Sequence, residues 1–351
     1  MTDPNIHYCG WDIGGAHLKF AGLSKDLKLQ CIEQVACPLW LGVEHLEKAI
    51  KELIARRRLT EANHGFTMTG ELCDSFGDRV TGVRQIVDCL AALFEPHKSQ
   101  IFGLNNQWYE LDNISGCELG IASANWYATA SYCAQKIKQG LIIDIGSTTT
   151  DLVPIVDGNV ATIGEDDFSR LKNFELVYTG VVRTAVAAIV DTLPYRDESI
   201  PVVAEYFANA ADIYRILQCL PPKADMYDTA DGKDKSIISS ATRLFRMICR
   251  DYADELAEAE IMAAAASEAQ LDRLMIALVH QLERHHMDAE KSIIVGLGCG
   301  AMLAKNLAQR CGLDFKLFSE LVPCATAGVF DEPNPEVCGP AVAVAFGLAE
   351  R

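Results

Sequence analysis

The sequence predicts an α/β protein of two lobes with a ligand cleft between them. Three observations carry this. The stretch "LIIDIGSTTTDLVPI", residues 141–155, runs from an apolar strand through an acid, a glycine and a row of hydroxyls into a second apolar strand. Near the start, "YCGWDIGGAHLKFAGL", residues 8–23, repeats the pattern, and Asp12 and Asp144 stand 144 − 12 = 132 residues apart, about one domain. At 351 residues, moreover, the chain exceeds what one core usually fills.

From Tyr8 to Val35, apolar residues alternate with turn residues, which predicts two or three strands joined tightly. "VEHLEKAIKELIARRRL" places Leu46, Ala49, Ile50, Leu53 and Ile54 at helical spacing, and Arg56, Arg57 and Arg58 suit the negative end of that helix. "GFTMTGEL" reads as a buried strand ending in polar residues; "DRVTGVRQIVDCLAALF" and "SANWYATASYCAQKI" read as helices. These fill a first lobe over residues 1–140.

The second lobe, 141–338, opens with the hydroxyl-rich turn, and "NVATIG" is a further strand candidate. From "GVVRTAVAAIV" onwards a mostly helical insert is expected, interrupted at 220–236 by the polar segment "LPPKADMYDTADGKDKS", a loop or lid. "KSIIVGLGCGAMLAKNLAQRCG" is strand, glycine turn and helix. The small-residue helix "GPAVAVAFGLAER", 339–351, is expected to return to the first lobe; such helices pack within one chain or between two, so a homodimer is left open.

The formal charge is −17, which opposes association with phosphate backbones and anionic membranes, so neither nucleic acid nor a membrane is an expected partner. None of the thirteen cysteines forms a CxxC pair, and the first residues carry no secretory pattern, so a reducing cytoplasm is expected. Cys89 and Cys249, among apolar neighbours, are expected to act as small core residues. "IMAAAASEAQLDRLMIALVHQL" carries Glu268, Asp272 and Arg273, which makes it a core helix, not a membrane span. His280, His285 and His286 lack a companion carboxylate cluster and are expected to hold no metal.

An aspartate ending a buried strand needs a cation or hydrogen bonds. After Asp12 and Asp144, Gly14, Gly15 and Gly146 permit sharp turns with outward N–H groups, and Ser147, Thr148, Thr149 and Thr150 add hydroxyl donors. This chemistry suits phosphate oxygens, with the two carboxylates holding Mg2+ through water. The bland alternative, two ordinary hairpins, is weakened by their repetition. Gly296, Gly298 and Gly300 make a third glycine turn between a strand and a helix start, a common arrangement by itself that gains weight beside the two Asp-Ile-Gly turns. Lys19, one strand beyond the first turn, reaches toward a phosphate or is merely an exposed strand lysine.

The order of these elements resembles the actin, sugar kinase and Hsp70 superfamily over nearly the whole chain, and "DIGSTTTDLVPI" resembles its hydantoinase/oxoprolinase branch. "GGAHLKFA", "MTGELCDSF", "ASANWYATA", "ELVYTGVVRTAV", "TADG" and "RMICRD" are similar to the methanofuran-biosynthesis synthases and their relatives in bacteria with tetrahydromethanopterin-linked one-carbon transfer. The resemblance implies a two-lobed actin-like ATPase (ribonuclease H-like) fold with a central cleft. It also implies a Mg2+-dependent transferase that joins diphosphate-activated aminomethylfuran to a phenolic tyramine or tyrosine acceptor, forming an ether and releasing pyrophosphate. Two rivals are an ATP-dependent kinase or amide hydrolase, and a non-catalytic nucleotide- or diphosphate-binding protein.

In this reading Asp12 and Asp144 organise the metal, and Glu71 takes the phenol proton or positions the acceptor. Its alternative is a carboxylate at a helix N-terminus. Asn125 and Trp126 line the cleft or pack within their helix. Arg183 binds the diphosphate or a carboxylate, or forms a surface ion pair. Asp225, Asp228 and Asp231 in the lid-like loop offer a second metal site or are simply solvated.

Overall fold

The structure, a computed structural model, describes residues 6–325 and 333–351, so residues 1–5 and 326–332 of the two expected lobes lie outside it. Its first sheet contains β1 (Ile6–Ile13), β2 (His17–Ser24), β3 (Leu29–Ala36), β4 (Asn63–Met68), β5 (Ser99–Gly103) and β6 (Gln107–Glu110), in the order β3-β2-β1-β4-β5-β6. The β1–β2–β3 meander is antiparallel, and β1 pairs in parallel with β4. Helix α1 (Glu44–Arg57) connects β3 to β4, and Arg56 and Arg57 of its last turn pair with Glu33. Helix α2 (Arg79–Leu93) starts at Asp78, whose carboxylate accepts from the Thr81 N–H at 2.7 Å. Short α3 (Glu118–Ile121) and α4 (Asn125–Ala134) complete this half.

The second sheet begins with the hairpin β7 (Gly140–Ile145) and β8 (Thr150–Val156), to which β9 (Asn159–Val160) adds only two residues. Helix α5 (Asp167–Lys172) precedes β10 (Leu176–Val177). The ribbon β11 (Thr192–Tyr195) and β12 (Glu198–Pro201) stands apart. Helices α6 (Ala210–Ile216), α7 (Ile237–Arg246) and α8 (Leu256–Arg284) follow, then β13 (Ile293–Leu297), α9 (Ala301–Cys311), β14 (Asp314–Leu317) and α10 (Gly339–Ala349). The sheet order is β10-β8-β7-β13-β14, with β7, β13 and β14 parallel.

Helix α10 packs inside the chain, against β1, β2, β4 and α4. Nine of its eleven residues are buried within this one chain. Gly10 makes the approach possible: a Cβ there would lie 1.9 Å from the Ala341 carbonyl. Side chains of α4 and α10 form a middle core with Ala21 and Leu23 from the first sheet and Ile142, Val153 and Val295 from the second. The two sheets are therefore tied through a shared apolar layer.

Two sequence expectations need correction. Residues 180–209 are not mostly helical: a single 3-10 turn at Val186–Ala188 and the β11–β12 ribbon precede α6. Val181, Val182, Val186, Ile189 and Val190 are β-branched and disfavour helix, and the segment's N–H groups are drawn to the second turn, as from Arg183 to the Ser147 carbonyl at 2.8 Å. Cys249 is exposed just past α7 at φ +56, outside the core, and Cys89 is half-buried. No helix among the described residues is long and apolar enough to cross a membrane.

Candidate active site

The two Asp-Ile-Gly turns adopt the same backbone device. Asp12 and Asp144 are the penultimate residues of β1 and β7. Gly14 N–H donates to the His17 carbonyl at 3.0 Å, and Gly146 N–H to the Thr149 carbonyl at 2.9 Å, closing each hairpin across three residues. Those two N–H groups are thus spent inside the turns. The second turn instead carries the hydroxyls of Ser147 and Thr148, 3.3 Å apart. Thr150 belongs to the strand: it is buried, and its hydroxyl donates to the Thr179 carbonyl at 2.7 Å.

Strand register decides which side chains meet. Asp12 pairs with Lys19 on one side and Thr67 on the other, and Lys19 pairs with Gln34. Cross-strand partners project to one face, so Gln34, Lys19, Asp12 and Thr67 form a polar row across the first sheet. Across the second hairpin Asp144 pairs with Asp151. Lys19 Nζ lies 3.5 Å from Asp12 Oδ2, while Asp12 Oδ1 is buried with no partner.

These contacts shift charges. Burial pushes the Asp144 carboxyl up to about 7, with Asp151 adding to the shift and Lys19 opposing it. Burial also raises Asp12, against the pull of Lys19. On Lys19 burial acts against the ammonium, yet Asp12, Cys338 and Asp144 outweigh it and its pKa rises. Asp151 is held by Arg170 at 2.8 Å, an arginine that is itself buried.

A cavity of about 200 Å³ opens at this point. Its polar wall is Lys19, Asp144, Gly146, Ser147 and Gly298; its outer wall, from the 220–236 loop, brings Pro221, Ala224, Met226 and Tyr227. Of the three glycines in the third turn, only Gly298 reaches it. Gly298 has φ +77, and a Cβ there would sit 2.5 Å from Asp144 Oδ1, so the site requires its absence. Gly296 instead makes room for the Phe315 ring, and Gly300 for Ile145.

The loop is anchored by ion pairs. Asp225 bonds Arg215, and Asp231 bonds buried Arg243 at 3.0 Å and Arg246 at 3.3 Å, bringing "TADG" and "RMICRD" together. Asp225 and Asp231 are therefore ion-pair partners and not simply solvated, whereas Asp228 is exposed. Tyr227 extends from the loop to meet His17 edge-on at 5.8 Å, and the Arg183 guanidinium lies 5.1 Å from its ring centre. Arg183 is exposed and engages an aromatic ring. Burial, with Lys19 nearby, lowers His17 to about 4, so the ring is neutral near pH 7.

Trp126 is buried and offers no open face, because the Arg170 guanidinium stacks 3.9 Å from its ring centre. Its neighbour Asn125 opens α4 half-buried, and its carbonyl accepts from Thr129. Glu71 is not on the cavity wall. It lies just after β4, beside the first turn, where Thr69 N–H bonds the Ile13 carbonyl at 2.9 Å. Ser123 Oγ donates to Glu71 Oε1 at 2.6 Å, Oε2 is buried without a partner, and burial raises the carboxyl despite the Ser123 bond.

The donor set suits Mg2+. An unpartnered buried oxygen on Asp12 and a second carboxylate on the facing hairpin match a cation that keeps most of its waters and takes the rest from phosphate. Among the described residues no group of three or more metal-ligating side chains exists, so an all-protein cage is not what this site provides.

Sequence reading missed Asp151, Arg170, Ser123, Tyr227 and Gly180. One signal was present: 19 − 12 and 151 − 144 both equal 7, so Asp151 is the repeat's counterpart of Lys19.

Fold and site together define a member of the actin-like ATPase fold class with two Asp-Ile-Gly hairpins facing one cavity. The hydantoinase/oxoprolinase family model matches residues 64–325, and the chain belongs to that family. It is 32% identical over 247 residues to (4-{4-[2-(gamma-L-glutamylamino)ethyl]phenoxymethyl}furan-2-yl)methanamine synthase of Methanocaldococcus jannaschii, covering 70% of this chain and 72% of the relative. The synthase of the same name from Methanococcus vannielii is 32% identical over 170 residues, 48% of this chain and 76% of the relative. Among solved structures, nucleotide-free acetone carboxylase superposes with a TM-score of 0.59 at 11% identity, covering 98% of this chain and 70% of that one. Both sequence relatives are named as synthases, which supports an enzyme.

Proposed function

We propose that the protein is a transferase of methanofuran-type cofactor synthesis, joining a diphosphate-activated aminomethylfuran to a phenolic tyramine or tyrosine acceptor, glutamylated in the archaeal case. The observation that carries this reading is the pair of hairpins facing one cavity, with Lys19 on one side and Ser147 on the other. It gains support from the relatives' product name, which contains an aryl ether between a phenol and a furanylmethyl group.

In the reaction, the acceptor's phenol O–H breaks and its proton is taken up by the departing pyrophosphate, since Glu71 is buried and off the cavity wall. The phenol oxygen bonds the furanylmethyl carbon while the bond from that carbon to the diphosphate oxygen breaks, and pyrophosphate leaves with the electron pair. Lys19 and the hydroxyls of Ser147 and Thr148 stabilise charge developing on the leaving group. Asp12 and Asp144 would hold a Mg2+ ion, which would supply further neutralisation there. The furan ring lies against the neutral His17 and Tyr227, and loop 220–236 keeps water from the carbon under attack.

The test is mass spectrometry of the protein incubated with Mg2+, aminomethylfuran diphosphate and phenolic acceptors, with and without ATP. An ether with matching pyrophosphate, independent of ATP, is expected, and Asp12→Asn should abolish it. ADP without ether would instead favour a nucleotide-dependent kinase or amide hydrolase, with Gly298 bordering the nucleotide; binding without turnover would favour a sensor.

A further inference from the structure

The arginines that anchor the cavity's outer loop all end on acids: Arg215 on Asp225, and Arg243 and Arg246 on Asp231. Arg183 does not. Among the described residues its guanidinium meets the Tyr227 ring, 5.1 Å from the ring centre, and no carboxylate lies within ion-pair distance. In a chain with 48 acids against 31 bases, this leaves its N–H donors open to solvent.

Both the backbone and the side chain of Arg183 lie against the cavity lining. Its N–H donates to the Ser147 carbonyl at 2.8 Å, and the Val182 N–H donates to the same oxygen at 3.2 Å. Its guanidinium rests on Tyr227, which meets His17 of the first hairpin. Ser147, Tyr227 and His17 all line the cavity, so Arg183 stands exposed at its rim. Lys223, from the same loop as Tyr227, brings a further positive charge to the lining, whereas Asp144 belongs to the polar wall with Lys19. At about 200 Å³ the cavity is smaller than the roughly 300–1,000 Å³ that encloses a whole drug-sized ligand. It takes the reacting groups and leaves the tail of a long acceptor at the rim. An oxygen that attacks opposite the departing diphosphate also enters from this outer side.

We propose that Arg183 sets acceptor specificity by binding a carboxylate on the tail of the phenol, while the diphosphate stays with Lys19 and the Ser147 turn. This rests on the synthase reading and deepens it: the acceptor class becomes a phenol with a carboxylate tail. A guanidinium offers paired N–H donors in the plane that a carboxylate matches, and stacking on Tyr227 orients that plane. The carboxylate belongs either to a glutamyl group or to tyrosine itself, and the two differ in distance from the phenol.

Two pairs of acceptors differ in that carboxylate alone: γ-glutamyltyramine against γ-aminobutyryltyramine, and tyrosine against tyramine. The test measures kcat/KM for ether formation with each, in the presence of Mg2+ and aminomethylfuran diphosphate. The wild type should favour the carboxylate member of one pair by roughly five- to twentyfold, between the worth of an exposed ion pair and that of a hydrogen bond to a charged group. The pair that shows the preference identifies the source. In Arg183→Gln the ratio should fall toward one, chiefly through KM, and Arg183→Lys, with the charge but not the fork, should keep part of it. An equal loss for both members of a pair, with the ratio kept, would assign Arg183 to the diphosphate and overturn the proposal. A wild type without preference in either pair would do the same, while its ether product leaves the synthase reading standing. If the wild type makes no ether, calorimetric binding of the same acceptors with Mg2+ and pyrophosphate decides. No carboxylate preference there, or one that survives Arg183→Gln, refutes the carboxylate site.

Discussion

Gly180→Ala is the substitution that couples packing most directly to the chemistry. Gly180 sits behind the second turn in "YTGVV", and an added Cβ would come within 2.5 Å of both the Thr148 nitrogen and the Ser147 carbonyl carbon. Ordinary contact begins near 3.4 Å, so 3.4 − 2.5 = 0.9 Å of displacement is required. Every atom met is backbone, and the 180–183 segment cannot simply retreat. Val181 N–H bonds the Gly146 carbonyl at 3.1 Å, and Gly180 N–H bonds Thr184 Oγ1 at 2.8 Å. The turn must therefore move, carrying Ser147 and Thr148 with it. Overpacking of this kind costs about 1–3 kcal/mol, and misplacing a catalytic group by about 1 Å costs roughly a hundredfold in rate. The expected result is a kcat/KM for ether formation about two orders of magnitude down, with only a few degrees lost in thermal unfolding. Gly77→Ala, where nothing lies within 4 Å of the new Cβ, is the control and should change neither. A Gly180→Ala protein with wild-type kcat/KM and melting would refute the claim that this glycine seats the turn.

Three more outcomes follow from particular contacts. His64 is buried, accepts from Trp11 Nε1 at 3.1 Å, and is lowered to about 4 by burial, so the unfolded chain binds its proton first as pH falls. That stability is complete above the usual histidine value near 6.5 and is lost toward 4, about 2 kcal/mol between pH 7.5 and 5; urea unfolding of His64→Gln at both values should lack this slope. Arg243→Met removes a fully buried guanidinium from Asp212 at 2.7 Å and Asp231 at 3.0 Å, and should cost about 3–5 kcal/mol in chemical denaturation; a loss under about 1 kcal/mol would contradict the network's importance. Tyr227→Ala deletes the contacts with His17 and Arg183 on the cavity's outer wall, and should raise KM for the furan substrate roughly three- to tenfold with kcat largely kept. A steady-state titration separates the two constants.

The hairpins, the helices with helical apolar spacing and the glycine turn were legible because their signals are local: Asp12 and Asp144 end strands, and Leu46, Ile50 and Leu53 line one face of α1. The segment after Gly180 was not, since its small and β-branched residues satisfy a helical pattern while its hydrogen bonds go to a turn more than thirty residues earlier. The same non-locality hid Ser123, 52 positions from Glu71, and Tyr227, whose ring is placed by ion pairs of Asp225 and Asp231. For Trp126 the packing reading is the one the contacts support. Its position in a family-like motif marks a packing role, because Arg170 takes its face in order to neutralise Asp151.

That last contact bears on how an acidic protein binds an anionic substrate. The two hairpins share a backbone design, but the position seven residues after each aspartate carries opposite charge, Lys19 in the first and Asp151 in the second. Left alone, Asp151 would set a second carboxylate beside Asp144 and repel a diphosphate. Arg170, buried and stacked on Trp126, cancels it from behind without entering the cavity wall. Lys19 is paired with Asp12 and also faces Asp144, and among the described residues it brings a positive charge to the cavity wall of a chain whose formal charge is −17. A diphosphate bound as proposed would meet Lys19 on one side and the hydroxyls of Ser147 and Thr148 on the other. Under the proposed function, Asp12 and Asp144 would hold a Mg2+ that arrives with the diphosphate, being too few to bind it tightly alone. Repetition built the clamp, and the broken symmetry of its charges gives it a direction.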